Sequence, residues 1–414
     1  MFIGLFTERP YQDPSSGFFG ATGRPISDLK VSNKDYNPVL GADLYNRYID
    51  ERVYAEEVGF DGLMLNEHHS TPFCMGGAMN VEASILARVT KKAKIVLLGN
   101  VLPIWDDPLW LVEQLAMIDV ISRGRLVSGW VRGTGRESVA HNSPPPYNWE
   151  RFKEAHEFVI KAWTTPGPFR WEGKHFHYRY VNPWVMPYQK PHPPIWLPGV
   201  VSRDSLMWAA EQRIPYIMLA TELEPTRQSF QLYHDTAAEL GYKSGTQNIG
   251  YLWKVHVDET EELADETSRK FVQGPSNPFL AGNEGILNPA LTSLPGLTSR
   301  SRTLPTAGSA TLSRGGRRGR RSYEDLIGEY NIISGTPKTV IPKIRHVLET
   351  LRPGSIIFWD GDGAMTHDDQ MRSLRLMGQE VLPAVREIGK ELELYSSFEI
   401  DPATGKPIEN GASG

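Results

Sequence analysis

The chain alternates short apolar runs with longer amphipathic stretches over most of its length. The runs have the length and the β-branched or aromatic content of strands, and the stretches between them carry apolar residues at helical spacing. Eight runs occur, at residues 2–7, 61–66, 94–100, 125–131, 194–199, 215–220, 249–257 and 355–360. The alternation predicts repeated βα units, whose crossover helices make the strands parallel.

Helical periodicity fills the intervals between the predicted strands. Helices are expected over residues 44–58, 81–90, 110–121, 151–163, 202–211, 224–240, 261–271 and 339–351, with a last helix over 370–388. Eight strands alternating strictly with helices favour an α/β fold of the (β/α)₈ TIM-barrel type over an open doubly wound sheet. We therefore predict one barrel domain over residues 1–390, followed by a C-terminal extension over 391–414.

Three segments exceed a minimal barrel and predict insertions after strands 1, 4 and 7. They cover residues 8–42, 165–193 and 273–323. In the third, Gly, Ser, Thr and Pro dominate and apolar periodicity is lost. A segment this long without secondary structure is typical of a functional loop, so we predict a mobile lid over residues 273–323.

Composition and charge narrow the classes of function. The 414 residues carry a formal net charge of −5, which gives no reason to expect binding to nucleic acid or to an anionic membrane. The single cysteine, Cys74, excludes an intramolecular disulfide and a cysteine-based metal site. No run approaches the roughly 20 apolar residues of a membrane span, and the N-terminus lacks a basic leader. A cytoplasmic enzyme acting on a small molecule is expected.

Two histidines follow the second predicted strand, at the barrel end where catalytic groups of this fold gather. His68 and His69 are neighbours, and neighbouring strand residues point in opposite directions, so one of them is expected to face the barrel mouth. An imidazole can move a proton at neutral pH. A pair of strand-end residues bound to backbone is the alternative interpretation.

A possible anion site follows the fifth predicted strand. Ser202 and Ser205 stand at the start of a helix, where hydroxyls, unpaired N–H groups and the helix dipole favour a phosphate. Arg132 and Arg151 are expected at the same end of the barrel, and each can clamp a phosphate with two hydrogen bonds. Simple helix capping by Ser202 is the alternative.

Several motifs, in their order and spacing over residues 2–388, resemble the bacterial luciferase family of flavin monooxygenases. They are EHH (67–69), VLP (101–103), ISRGRLVSGWVRG (121–133), the helix containing Arg151, the serines 202 and 205 followed by WAAE (208–211), and ISGTPKTV (333–340). The resemblance implies that His68 is the catalytic histidine. It also implies a cofactor site formed by Leu98, Gly99, Asn100, Arg132, Arg151, Val201, Ser202 and Ser205.

Within that site the resemblance assigns distinct tasks. Arg132, Arg151, Ser202 and Ser205 would hold the flavin phosphate, and the Leu98-Gly99-Asn100 turn would back the isoalloxazine ring, often through a cis peptide. Val201 replaces an acidic residue of the family, so that contact is lost. Val131 replaces the cysteine of the luciferases, which weakens the implication of light emission but not that of oxygen chemistry.

The activity implied is a monooxygenase that oxidises a small organic substrate with O₂ and reduced FMN, through a flavin C4a-peroxide. A separate flavin reductase would supply the reduced FMN, and the protein would form a homodimer or larger homo-oligomer. Three alternatives stay open: an F420-dependent oxidoreductase on the same barrel, a metal-dependent hydrolase using His68, His69, His175, His177 and Asp360, and a nucleic-acid or partner-binding arm in the arginine run at residues 314–321.

Overall fold

Eight parallel strands close into a barrel in the computed structural model, which describes residues 1–18, 31–133, 135–200, 202–272, 322–401, 404 and 406–408. The strands in these residues are β1 (Phe2–Phe6), β2 (Gly62–Leu65), β3 (Lys94–Leu97), β4 (Asn100–Val101), β5 (Leu126–Val131), β6 (Phe169–Glu172), β7 (His177–Val181), β8 (Ile195–Gly199), β9 (Tyr216–Leu219), β10 (Ile249–Val257), β11 (Ile332–Gly335) and β12 (Ser355–Trp359). The closed order is β1-β2-β3-β5-β8-β9-β10-β12, and β12 pairs again with β1. The predicted TIM barrel is confirmed.

Helices surround the barrel, and most of them lie in the intervals that the apolar periodicity predicts. They are α1 (Pro38–Glu57), α2 (Met79–Val89), α3 (Pro108–Ser122), α4 (Gly135–Ala140), α5 (Asn148–Thr164), α6 (Arg203–Glu211), α7 (Leu223–Glu239), α8 (Glu261–Val272), α9 (Tyr323–Gly328), α10 (Pro337–Leu351), α11 (His367–Leu376) and α12 (Leu382–Glu391). A π-helical turn over Met377–Val381 joins α11 to α12, where the sequence predicts one helix. Among the described residues no helix is long and apolar enough to cross a membrane.

Alternation along the strands divides the core into two layers. One face points into the barrel, where residues such as Phe6, Met64 and Leu252 pack on each other. The other face packs against the helices. On the inner face of β1, Gly4 leaves room for Met64, since a Cβ there would lie 2.6 Å from Cε of that side chain. The interior is thus filled by side chains and is not a pore.

The C-terminal extension, in its described part, closes the N-terminal end of the barrel. The ring of Phe398 lies 5.2 Å from that of Phe2 and 5.8 Å from that of Trp196. The amino group of Met1 also forms an ion pair with Glu399. Active sites of this fold lie at the opposite end, where the strands terminate.

Several features depart from the predicted elements. The helices α4 and α9 and the strand β11 occur where no helix or strand is predicted, and two further departures lie in predicted segments. The third predicted strand, 94–100, is interrupted: β3 ends at Leu97, the Leu98–Gly99 peptide is cis, and β4 resumes at Asn100 and pairs with β5. Residues 165–193, predicted only as an insertion, contain an antiparallel hairpin of β6 and β7. Most of the predicted lid, residues 273–321, lies outside the described residues, as does Val201.

Candidate active site

The two neighbouring histidines after β2 point in different directions. His68 places Nδ1 2.9 Å from Oε1 of Glu137 on α4, and its ring packs 5.3 Å from that of Phe73. His69 instead places Nε2 2.9 Å from Oε1 of Glu67 and its ring edge against His141. The side chain of His68 is 26% exposed and that of His69 10%, so His68 is the more accessible of the two.

Buried carboxylates flank the His68 imidazole on two sides. Besides Glu137, Oε2 of Glu8 lies 3.8 Å from Nε2 of His68. The Glu8 carboxylate also accepts a hydrogen bond from the side-chain amide of Asn66, which fixes its direction. Because an ionised carboxylate only accepts hydrogen bonds, Nδ1 of His68 is the donor to Glu137. Two negative neighbours favour the positively charged imidazolium.

A buried ammonium group and a second acid lie beside Glu8, and sequence reasoning missed both. Lys254 projects from β10 with Nζ 4.8 Å from the ring centroid of Trp359, a cation–π contact. Asp362 accepts hydrogen bonds from the Thr7 hydroxyl at 2.8 Å, from the Glu8 amide at 2.9 Å and from the Trp359 indole. These groups leave β1, β10 and β12 at the same end of the barrel.

Burial moves the pKa values of Asp362 and Lys254 toward neutral pH. For Asp362, burial followed by the Glu8 charge raises the pKa to about 7, although the hydrogen bonds from Thr7 and Trp359 and the charge of Lys254 oppose this. For Lys254, burial lowers the pKa to about 8, against the charges of Asp362 and Glu8. Groups that exchange protons near pH 7 at a barrel mouth are suited to acid–base chemistry.

The predicted phosphate residues Ser202, Ser205 and Arg132 lie on neighbouring strand ends. Ser202 precedes α6, but its hydroxyl does not cap the helix and donates to Oγ of Ser205 at 3.1 Å. Arg132 follows β5, and its charge acts on Tyr216, whose hydroxyl donates to the carbonyl oxygen of Val200 at 2.7 Å. A guanidinium and a serine-bearing helix N-terminus thus follow the neighbouring strands β5 and β8, and such donors are suited to phosphate.

Arg151, the fourth predicted phosphate residue, has other partners. Its Nε donates to the carbonyl oxygen of Pro103 at 2.8 Å, and Nη2 lies 2.9 Å from Oδ1 of Asp106. The guanidinium also stacks on the ring of Phe176 at 4.8 Å. These contacts tie α5 to the loop after β4. None of these contacts of Arg151 is with Ser202 or Ser205.

The residues predicted to back the flavin ring, Leu98, Gly99 and Asn100, lie in different surroundings. Leu98 packs with the inward-facing core, and Gly99 lies against β5 so tightly that a Cβ would be 2.3 Å from the Gly129 carbonyl oxygen. Asn100 is 1% exposed and its amide donates to Glu67 at 3.3 Å and to Asn80 at 3.1 Å. Its Oδ1 is buried without a hydrogen-bond partner among the described residues. Asn100 therefore faces α2, whereas the Leu98–Gly99 backbone borders the mouth.

The side chains that suggested a metal site are dispersed. His175 pairs with Glu150 at 3.0 Å, His177 lies on the exposed hairpin, and Asp360 bonds to His256. Within the described parts of the chain, no group of three or more His, Cys, Asp or Glu side chains is arranged to hold a metal ion. The arginine run at 314–321 lies outside these parts.

Comparisons with known proteins agree with the resemblance read from the motifs. The family model of the luciferase-like monooxygenases matches residues 34–352. By sequence, the chain is 27% identical over 252 residues to the alkanal monooxygenase alpha chain of Photobacterium leiognathi, which covers 59% of this chain and 70% of that one. Other alkanal monooxygenase alpha chains, from Photorhabdus, are matched over 60% of their length.

Two solved structures with the same fold are described with different cofactors. The oxygenating constituent of 3,6-diketocamphane monooxygenase from Pseudomonas putida, a type II Baeyer–Villiger monooxygenase in complex with FMN, has a TM-score of 0.67 at 21% identity and covers 92% of this chain and 98% of that one. The coenzyme F420-dependent tetrahydromethanopterin reductase from Methanopyrus kandleri has a TM-score of 0.61 at 18% identity, with coverages of 92% and 98%.

The chain belongs to the luciferase-like monooxygenase family, since the family model spans most of its length. This confirms the resemblance and the expectation of an oxidoreductase of the luciferase-like type. The barrel mouth that carries His68 is also the end at which the strands terminate, as the fold requires of an active site.

Proposed function

We propose that the protein is a flavin-dependent monooxygenase that uses reduced FMN and O₂ to oxidise a small organic substrate. One observation carries the proposal: the phosphate-type donors Arg132, Ser202 and Ser205 and the acid-flanked His68 project from the same end of one barrel. The FMN complex of the 3,6-diketocamphane enzyme supports the choice of FMN. An F420-dependent oxidoreductase is the second candidate, favoured by the Methanopyrus neighbour.

The residues at the mouth fit an FMN cofactor. Arg132, Ser202 and Ser205 would hold its phosphate, and the cis Leu98–Gly99 backbone would support the ring. The bound reduced flavin would supply two electrons and activate O₂. The chain's own task is to exclude water and to manage protons.

Two aromatic rings and one imidazole perform that task. The Phe6 and Trp359 rings meet edge to face at 5.3 Å and cover the apolar floor of the mouth. His68, held by Glu137, donates a proton to the oxygen atom that does not enter the substrate. Water in the mouth would divert the electrons of the reduced flavin to hydrogen peroxide, so a dry floor and a fixed imidazole serve the same reaction.

The reduced flavin is proposed to come from a separate reductase, and this proposal is supported by the name of the Pseudomonas putida neighbour, which describes that protein as the oxygenating constituent of its enzyme. The protein itself is proposed to be cytoplasmic. Anaerobic titration with reduced FMN, reduced FAD and reduced F420 tests the cofactor. Tightest binding of reduced FMN, followed by substrate-dependent O₂ consumption, is expected. Preference for F420 would move the protein to the second candidate.

Arg132→Ala is expected to weaken binding of reduced FMN by about 1.5–3 kcal/mol, roughly 10- to 150-fold in Kd, because a charge-assisted contact to phosphate is lost. Isothermal titration under anaerobic conditions measures this. Arg179→Ala, an exposed arginine on β7, is the matched control and should bind like wild type. Equal Kd values for Arg132→Ala and wild type would remove Arg132 from the phosphate site.

A homodimer is proposed through the outer faces of α2 and α3. These adjacent helices expose a set of large apolar side chains, namely Val81, Ile85, Val89, Trp110, Met117, Val120 and Ile121, with exposed fractions between 39% and 65%. Apolar patches of this kind on a folded protein mark interaction surfaces. Helix α1, in contrast, buries Leu44, Tyr48 and Ala55 against the barrel.

Ile85→Lys is therefore expected to convert the dimer into monomers, since an ammonium would be buried in an apolar interface. Sedimentation velocity measures the change. Leu240→Lys provides the control, because Leu240 is 50% exposed at the end of α7, away from this surface. A dimer that persists in Ile85→Lys, or a monomeric wild type, would contradict the assignment.

A further inference from the structure

The loop that follows β12 is held by side chains from other parts of the chain. It covers residues 361–366, with the sequence GDGAMT, and carries Asp362 at the barrel mouth. Gly361 and Gly363 have positive φ angles of 86° and 66°, a backbone conformation that few other residues adopt. Because glycine loses more conformational freedom on folding than other residues, contacts from outside the loop have to offset that cost.

Gln12, in the insertion after β1, supplies two of these contacts. Its Nε2 donates to the carbonyl oxygens of Gly363 at 2.7 Å and of Met365 at 3.1 Å. Its Oε1 accepts a hydrogen bond from Nη1 of Arg47 at 2.7 Å. Since a guanidinium only donates and a carbonyl only accepts, these partners fix which end of the Gln12 amide faces the loop.

Arg47, on α1, adds a third contact to the loop and is itself anchored. Its Nη2 donates to the Met365 carbonyl oxygen at 3.0 Å, and its Nε lies 2.7 Å from Oε1 of Glu51, one turn further along the helix. The Glu51 side chain is 1% exposed, and the same Oε1 lies 3.0 Å from Nδ1 of His367, the first residue of α11. The Glu51 carboxylate thus links the guanidinium to the helix that follows the loop.

The loop is also joined directly to the barrel and to α8. The Met365 side chain is fully buried among the inward-facing core residues. Asp362, three residues earlier, accepts hydrogen bonds at the mouth from the chain that follows β1. The Ala364 amide donates to the carbonyl oxygen of Lys270 on α8 at 3.1 Å. Contacts from the first insertion, α1 and α8 therefore converge on one short loop.

We propose that Gln12 and Arg47 are positioning residues, which hold the loop of residues 361–366 and thereby keep Asp362 in place at the barrel mouth. The inference rests on the proposed function for its consequence in turnover. None of the hydrogen bonds of Gln12 or Arg47 is with His68 or with a predicted phosphate residue. Loss of either side chain should therefore change the loop and leave the binding of FMN as it is.

Hydrogen exchange followed by mass spectrometry on the flavin-free protein tests the loop directly. The Ala364 and Met365 amides are hydrogen-bonded, so their exchange reports opening of the loop. Gln12→Ala removes two hydrogen bonds to the loop without removing a charge, so the variant should fold like wild type. It is expected to raise exchange in residues 361–366 by about 5- to 15-fold. Arg47→Ala should raise it as well.

Arg386→Ala is the matched control for these variants. The Arg386 guanidinium on α12 likewise binds a carboxylate and a backbone carbonyl, with Asp61 at 2.9 Å and the Gly59 oxygen at 2.8 Å. Asp61 directly precedes β2, so this contact lies at the opposite end of the barrel. Arg386→Ala should raise exchange around Asp61 and leave the loop after β12 unchanged.

The pattern of exchange decides whether the loop is held in this way. A rise in residues 361–366 in Gln12→Ala and Arg47→Ala, absent from Arg386→Ala, supports the inference. Exchange in the loop that equals wild type in Gln12→Ala and Arg47→Ala overturns it. So does an equal rise in both segments in all three variants, because that is the result of general damage to the fold.

Turnover supplies a readout that a purely structural role would not move. Gln12→Ala should lower kcat by about 3- to 10-fold and leave the Kd of reduced FMN within about twofold of wild type, because Asp362 is displaced and the phosphate donors are not. Arg386→Ala should change neither, and Arg47→Lys should recover part of the kcat that Arg47→Ala loses.

An opened loop with an unchanged kcat would also overturn the inference, since Asp362 would then need no positioning. The exchange experiment requires neither flavin nor substrate, so its failure leaves the proposed function intact. Failure of the proposed function would show instead in the anaerobic binding of reduced FMN by the wild type, with the exchange pattern of the variants as expected.

Discussion

His68→Ala is expected to lower substrate oxidation by about 10²–10⁴-fold, the range typical of a lost general acid or base. The reason is positional: His68 is the more exposed histidine of the pair, and it alone lies between Glu137 and Glu8. Binding of reduced FMN should change by less than about threefold, because the phosphate donors lie on other strands. Product formation and FMN binding, measured side by side, separate the two effects.

Two further variants make this experiment specific. His175→Ala removes an imidazole that is paired with Glu150, a half-exposed carboxylate that also pairs with Lys174. The activity of this variant should equal that of wild type. Glu137→Gln should retain part of the activity, since an amide oxygen still accepts from Nδ1 of His68 but supplies no charge. Activity of His68→Ala within tenfold of wild type would exclude a proton-transfer role for this residue.

The barrel was predictable because its strands and helices carry strong, local signals. Most inward-facing strand residues are apolar and the helices carry apolar residues at helical spacing, so the periodicity alone locates eight βα units. The interruption at Leu98–Gly99 was not predictable from this pattern. It depends on Gly129, which lies 30 residues further along and whose carbonyl oxygen occupies the space beside Gly99.

Residues of the candidate site could be predicted from the sequence only where a single strand end and its loop contain the whole motif. The His68–His69 pair and the serines of α6 are each contained in one loop, and the alternation of strand residues explains why only one histidine is accessible. Glu8, Lys254 and Asp362 come from strand ends that meet only when the barrel closes. One sequence signal could have indicated Lys254. It is a lysine inside the apolar run IGYLWKVHV, two residues after the inward-facing Leu252.

Arg151 and Asn100 show a different limit of sequence reasoning. Both occur at the expected end of the barrel. The role of each residue depends on where its side chain points, and tertiary contacts decide that. Arg151 turns to the Pro103 carbonyl and Asp106, and Asn100 turns to Glu67 and Asn80. Position along a strand therefore predicts which end of the barrel a residue occupies, but not which of its neighbours it contacts.

A second buried network, outside the proposed site, is expected to make stability depend on pH. His256 is fully buried, with Nδ1 3.0 Å from Oδ1 of Asp360 and Nε2 3.4 Å from Oδ2 of Asp258. Asp258 is also paired with Arg372 at 2.7 Å, and Asp360 accepts from the Ser373 hydroxyl at 2.6 Å. Burial alone would lower the pKa of His256, but the two carboxylates outweigh it and raise the pKa to about 9.

Asp360→Asn is therefore expected to destabilise the protein by roughly 3–5 kcal/mol at pH 6, the cost of breaking a buried ion pair, and by clearly less at pH 9.5. The folded pKa of His256, about 9, exceeds its ordinary value of 6.5, so the stabilisation is complete below pH 6.5 and is lost as the pH rises through 9. Urea unfolding followed by tryptophan fluorescence at the two pH values measures the difference. Glu259→Gln, an exposed partner of Arg375, should cost less than about 1 kcal/mol at either pH. An equal penalty for Asp360→Asn at pH 6 and pH 9.5 would show that the charge on His256 does not contribute to folding.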